Sequence, residues 1–146
     1  FWSKNAQGEW AQKTLKENPG AAYCEEATMY GKNILNVGHQ SAASDVISRP
    51  TGAVLEILPL SNPAALTLND TMPLQVLLNG EPLADATVTA TFKGFDQSHH
   101  DGEYEEAQAF SASTDGQGKV NLIMLRNGFW KVSVTAKAPY KDAATC

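Results

Sequence analysis

From residue 53 onward the chain alternates. Thr87, Thr89 and Thr91 interleave with Val88, Ala90 and Phe92, and Lys131, Ser133 and Thr135 interleave with Val132, Val134 and Ala136. A period of two sends successive side chains to opposite faces of a strand, one buried and one solvated. The pattern predicts strands near 53–58, 65–68, 73–79, 86–93, 107–114, 119–125 and 129–137. The first runs as Leu55-Glu56-Ile57-Leu58 into a proline-bounded corner, Pro59-Leu60-Ser61-Asn62-Pro63. Asn79-Gly80, Asp115-Gly116-Gln117-Gly118 and Asn127-Gly128 supply turn chemistry. Pro73 and Pro82 fit strand starts or edges, where no ladder donor is lost. Short strands with regularly spaced turns point to a mainly β fold, an immunoglobulin-like or transthyretin-like β-sandwich over 53–146.

Before the sandwich the period changes. Tyr23, Ala27, Tyr30 and Ile34 recur at helical spacing, with Leu35 and Val37 beside them, and predict one helix over 21–37. Glu25 and Glu26 fall in its first turn, where the helix dipole favours negative charge, and Gly38 is a natural stop. Residues 1–20 read as a polar, irregular arm. Its aromatics, Phe1, Trp2 and Trp10, set it apart from a free tail and imply docking onto the same domain or a neighbouring subunit. Residues 39–52 form a Ser- and Ala-rich connector, so the expected organisation is 1–52 for arm, helix and connector and 53–146 for the sandwich.

Charge narrows the function classes. The net charge is −5 and the positive residues are scattered, with no basic patch to neutralise phosphates, which argues against nucleic acid or anionic membranes as partners. No segment approaches the roughly 20 apolar residues of a transmembrane helix. The chain opens on Phe1 without a basic-then-apolar leader, as expected of a processed chain, a fragment or an incompletely assigned sequence. Cys24 and Cys146 form no CxxC pair. They are candidates for one long-range disulfide in an exported chain, worth roughly 4–5 kcal/mol in chain-entropy terms. The alternative is two free thiols in a reducing compartment.

The densest polar cluster is Phe95-Asp96-Gln97-Ser98-His99-His100-Asp101-Gly102-Glu103-Tyr104-Glu105-Glu106. Imidazoles beside carboxylates are a donor set for a divalent transition metal, which nominates His99, His100, Asp101 and Glu103, with His39 as a more remote third imidazole. The bland alternative is a solvated acidic loop. No Gly-x-Ser-x-Gly elbow and no glycine-rich phosphate loop occur, so an enzyme is not expected. Asn69-Asp70-Thr71 matches a glycosylation sequon but reads first as a turn before a strand. Phe129 and Trp130 read as core or rim packing ahead of a carbohydrate platform.

Leu55 to Pro63, Val76-Leu77-Leu78-Asn79-Gly80-Glu81-Pro82-Leu83, Thr114-Asp115-Gly116-Gln117-Gly118 and Asn127-Gly128-Phe129-Trp130 resemble the C-terminal half of domain-of-unknown-function family 4198. Tyr30-Gly31-Lys32-Asn33-Ile34-Leu35-Asn36-Val37-Gly38 resembles the family's Tyr-x-Lys helix ahead of the sandwich, so the resemblance covers roughly residues 20–140. Members are exported bacterial proteins, often described as periplasmic components of nickel or cobalt uptake. The resemblance implies a non-enzymatic periplasmic or extracellular binding protein, with nickel or cobalt as ligand and a membrane transporter component as partner. Members also carry an N-terminal β-domain and a further apolar strand beyond the position of Cys146. Without that strand a sheet edge is expected to stay open or to take a strand from another chain. The alternative function is a structural subunit of an extracellular filament or surface assembly, as a homo-oligomer or with another extracellular protein.

Overall fold

The computed structural model describes residues 1–35, 45–95, 108–142 and 145–146. Among these the regular structure is strand, apart from one 3-10 turn at Pro63–Ala65, and the strands build three antiparallel sheets. The chain divides into two compact units, Lys32–Ala136 and a smaller one made of Phe1–Gly31 with Lys137–Cys146.

The smaller unit is a sheet of β1 (Trp2–Asn5), β2 (Trp10–Ala11) and β3 (Ala21–Glu25) in the order β2-β1-β3. Asn5 makes the β1–β2 turn possible. Its side-chain oxygen accepts from the N–H groups of Gln7 (3.0 Å) and Glu9 (2.9 Å), an Asx arrangement that substitutes for backbone pairing. Ser3, fully buried, accepts from the Asn18 amide at 3.0 Å and ties the following loop to β1. A disulfide joins Cys24 of β3 to Cys146, with Cα atoms 5.3 Å apart. The Leu15 N–H also donates to the Thr145 carbonyl (3.2 Å).

This unit corrects two expectations. The helix over 21–37 is not present in the described part of that range: 21–25 is strand β3, and 26–35 carries no helix. Pairing with β1 and the bond through Cys24 outweigh a modest helical preference. The spacing of Tyr23, Tyr30 and Ile34 marks no buried stripe, since all three are exposed. The arm over 1–20 is not irregular, because it contributes β1 and β2.

The larger unit contains β4 (Leu55–Pro59), β5 (Thr71–Leu78), β6 (Glu81–Pro82), β7 (Thr87–Phe92), β8 (Phe110–Ser113), β9 (Lys119–Ile123) and β10 (Trp130–Val134). In one sheet β5 is central, with β4 along one side and β9 and the short β6 along the other. The second sheet runs β10-β7-β8. Alternation on β5 aims Met72, Leu74 and Val76 inward, joined by Val120 and Leu122 of β9. Val88 and Ala90 of β7 meet them from the other sheet, which makes the unit sandwich-like. Each of the buried Val, Leu and Met side chains contributes about 1.5–3 kcal/mol by leaving water, and the Ala90 methyl less. Buried Thr114 closes the seam, donating to the Leu83 carbonyl (2.6 Å) and accepting from the Ala86 N–H (2.9 Å).

The strand expected at 65–68 is absent. Asn62 caps the 3-10 turn by accepting from the Ala64 N–H (3.0 Å), and Asp70 then accepts from the Thr67 N–H (2.7 Å) and hydroxyl (2.9 Å). These side chains give the backbone its partners locally, so the segment needs no ladder. Asn69, the sequon asparagine, sits in that turn at φ 69°.

Candidate functional site

The strongest chemical grouping among the described residues lies on one face of the small sheet. Trp2 and Lys4 share a face of β1 by alternation, and the register sets Lys4 opposite both Trp10 and Tyr23, and Trp2 opposite Glu25. Trp2, Trp10 and Tyr23 remain 42%, 47% and 42% exposed. Trp10 and Tyr23 meet edge to face with ring centroids 5.9 Å apart. The Lys4 Nζ stands 5.4 Å from the centre of the Trp10 ring, and the Lys137 Nζ 5.8 Å from that of Tyr23. Glu25 completes the set: it accepts from the Tyr23 hydroxyl at 2.9 Å and faces the Lys137 Nζ at 3.9 Å. The rings are held by their neighbours yet keep large apolar surfaces in water, the composition of a contact face.

A second polar cluster has a different character. Glu56 on β4 is buried and accepts from the Lys32 Nζ at 2.6 Å, from the Thr51 N–H at 2.9 and 3.0 Å, and from the Thr51 hydroxyl at 2.9 Å. Burial alone pushes this carboxyl up, but the bonds from Lys32 and Thr51 outweigh it and hold its pKa below the ordinary glutamate value. Three protein donors thus hold the carboxylate in place. Glu56 anchors the segment around Thr51 to β4. Lys32, marked in sequence by the Tyr-x-Lys resemblance, is its counter-ion.

The nominated metal residues His99, His100, Asp101 and Glu103 lie outside the described residues, as does His39. Among the described residues no three His, Cys, Asp or Glu side chains gather as a metal-binding group. Of the nominated packing residues, Phe1 meets Tyr140 edge to face at 5.5 Å, while Trp2 and Trp10 belong to the exposed face. Trp130 packs on Phe92 (4.9 Å between ring centroids) and its indole N–H donates to the Arg126 carbonyl (2.9 Å). Lys4, Tyr23, Glu25 and Lys137 were missed by sequence reasoning. The signal for the first three was a period of two in Trp2/Lys4 and Tyr23/Glu25. Nothing local marked Lys137, which reaches the face from the far end of the chain.

Among the described residues no helix is long and apolar enough to cross a membrane. The family model described as Domain of unknown function (DUF4198) matches residues 1–138. The match starts at residue 1 and so takes in the small sheet's β1 and β2, which the resemblance over roughly 20–140 left out. No curated protein and no solved structure matches the chain.

Proposed function

The chain belongs to the DUF4198 family, and from that premise we propose that it is an exported, non-enzymatic binding module whose contact face is the small sheet bearing Trp2, Trp10 and Tyr23. The observation that carries this reading is the exposure of three large aromatics on one face of a sheet closed by the Cys24–Cys146 disulfide. Tyr and Trp are the residues that dominate protein–protein contact energies. The partner is accordingly another protein of the cell surface or periplasm, as in a surface assembly. A disulfide fits an oxidising compartment, periplasmic or extracellular. The two packed sheets of the larger unit fit an immunoglobulin-like or transthyretin-like scaffold. A photo-crosslinking residue placed at Trp10 in cells should give a discrete adduct, lost when Trp2 and Tyr23 are changed to Ser. Adducts no stronger than from a probe at the exposed Gln117 would overturn the reading.

A second reading is transition-metal binding linked to nickel or cobalt uptake, favoured by the adjacent imidazoles and carboxylates of His99-His100-Asp101-Gly102-Glu103. It predicts calorimetric binding of Ni²⁺ or Co²⁺ by the intact protein that falls when both histidines become Ala. No heat of binding to the intact protein would dismiss it.

A further inference from the structure

Three features of the β10 edge converge. First, among the described residues the backbone groups of Trp130, Val132 and Val134 on its outer side have no ladder partner. The Lys93 N–H donates to the Phe129 carbonyl (3.0 Å), and the β10–β7 register carries that phase to Lys131 opposite Thr91 and Ser133 opposite Thr89. The N–H and C=O groups of Trp130, Val132 and Val134 therefore point away from β7, and no described group bonds to them. The β4 edge is different: Pro59 lacks a donor there and its carbonyl accepts from the Ser48 hydroxyl (2.7 Å). Second, Phe129 precedes this edge strand and is 77% exposed. The alternation that turns Trp130 to the core leaves it on the outer face. Third, a shallow groove of about 230 Å³ opens on the same outer face, lined by Thr87, Thr89, Ser133, Val134 and Thr135.

We propose that β10 pairs antiparallel with β10 of a second copy about a two-fold axis at Val132, with Phe129 of each copy seated in the other's groove. Antiparallel pairing about Val132 sets Trp130 opposite Val134 of the second copy and Lys131 opposite Ser133, so no like charges meet. It also sets Phe129 opposite Thr135, at the groove. An axis at Lys131 would instead face two ammonium groups. The three outward positions supply about six inter-chain N–H···O bonds, two for each facing pair. The core-facing side chains on both strands are apolar, so the buried face continues across the junction. Such a contact is isologous and closes on itself as a dimer. One short strand and two phenyl rings make a small interface, so the affinity is on the order of micromolar. This contact is independent of the aromatic face of the small sheet.

Sedimentation of the full chain across a concentration series should show a monomer–dimer equilibrium. Phe129→Ser, which removes an exposed ring, and Thr89→Arg, which fills the groove, should each weaken it about tenfold or more. Hydrogen exchange adds a register-specific readout. Amides of Trp130, Val132 and Val134 should slow as concentration rises, while those of Lys131 and Ser133 are slow throughout. A chain that stays monomeric at every concentration overturns the proposal. So does exchange at Val132 that ignores concentration, or a dimer indifferent to Phe129→Ser. A dimer lost in Trp10→Ser but intact in Phe129→Ser would assign association to the small sheet and also overturn it.

Discussion

The two compact units solve the same problem in different ways. The sandwich unit, Lys32–Ala136, is centred on aliphatic side chains, with Val76 and Val88 fully buried, and carries the whole net charge of −5. In the smaller unit five lysines balance five carboxylates, and half of the chain's Phe, Trp and Tyr residues are concentrated there. Most of those rings stay exposed, and among the described residues the fully buried side chain there is Ser3, held by a hydrogen bond. One unit is stabilised by removing apolar area from water. The other has too few residues for that and relies on a covalent closure and on polar turns. The difference explains how the small sheet tolerates rings in water: its apolar surface is spared from the core because the core is not what holds it.

The largest test of this contrast is removal of the disulfide. Cys24 and Cys146 are separated by 122 positions, so in the chain-entropy argument their bond is worth up to about 5 kcal/mol against the fully unfolded chain. Reduction, or Cys24→Ser with Cys146→Ser, should strip hydrogen-exchange protection from Ser3 and Tyr23, whose N–H groups face the β2 and β1 ladders, while Val76 and Val88 keep theirs. Simultaneous loss in both units would break the contrast. The converse probe lies in the sandwich. Gly118 has φ +69°, and a Cβ there would stand 2.6 Å from the Val76 carbonyl oxygen and 3.0 Å from the Leu83 nitrogen, both backbone atoms. Gly118→Ala should cost roughly 3 kcal/mol in urea unfolding. Gly80→Ala, also at positive φ but facing open space, should cost only about 1 kcal/mol. Equal losses would mean that dihedral strain, and not the close approach of β5, sets the cost.

The same contrast explains what was legible in the sequence. The sandwich strands β5, β7 and β10 are long enough for alternation to stand out, and Asn79-Gly80 and Asp115-Gly116-Gln117-Gly118 mark their turns. The 65–68 segment misled because Leu66 is apolar and packs on the core, yet side chains of Asn62 and Asp70 satisfy the backbone around it. In the small unit β1 and β2 have four and two residues, too few to display a period. Tyr23 and Tyr30 supplied a helical spacing with no helix behind it. Trp2 and Trp10 stood out by composition. Their companions did not, because Lys137 is brought to Tyr23 by a chain reversal that no local pattern announces.

A smaller effect is expected where the sandwich does use charge. Glu56→Gln keeps the shape but replaces charge-assisted bonds from Lys32 and Thr51 with neutral ones, at a cost of about 1–2 kcal/mol. Its pKa is lowered on folding, so the ionised carboxylate stabilises the folded state. That contribution is full above the ordinary glutamate value of 4.5 and is lost as pH falls through the lower folded value. Unfolding free energy measured downward from neutral pH should therefore fall in this window for the native chain, and fall less for Glu56→Gln. Identical acid profiles would assign the acid sensitivity to exposed carboxylates such as Asp115, held low by the N–H groups of Lys119 and Gln117.

The smallest effect decides whether the aromatic face is built for stability or for contact. Lys4 and Trp10 form a cation–π pair that is solvent-facing, and such pairs are worth about 0.5–1 kcal/mol. A double-mutant cycle of Lys4→Met and Trp10→Leu, read by the unfolding of the small sheet, should give a coupling within that range. Trp10→Leu alone should cost little more, since the ring it removes is 47% exposed and leaves no large cavity. A coupling well above it would make the rings a surface-borne core, and the small unit would then resemble the sandwich in kind. A coupling of this size leaves the rings' exposed area unaccounted for by folding, which is the condition a recognition surface has to meet: removing Trp10 should then cost far more in partner binding than in stability.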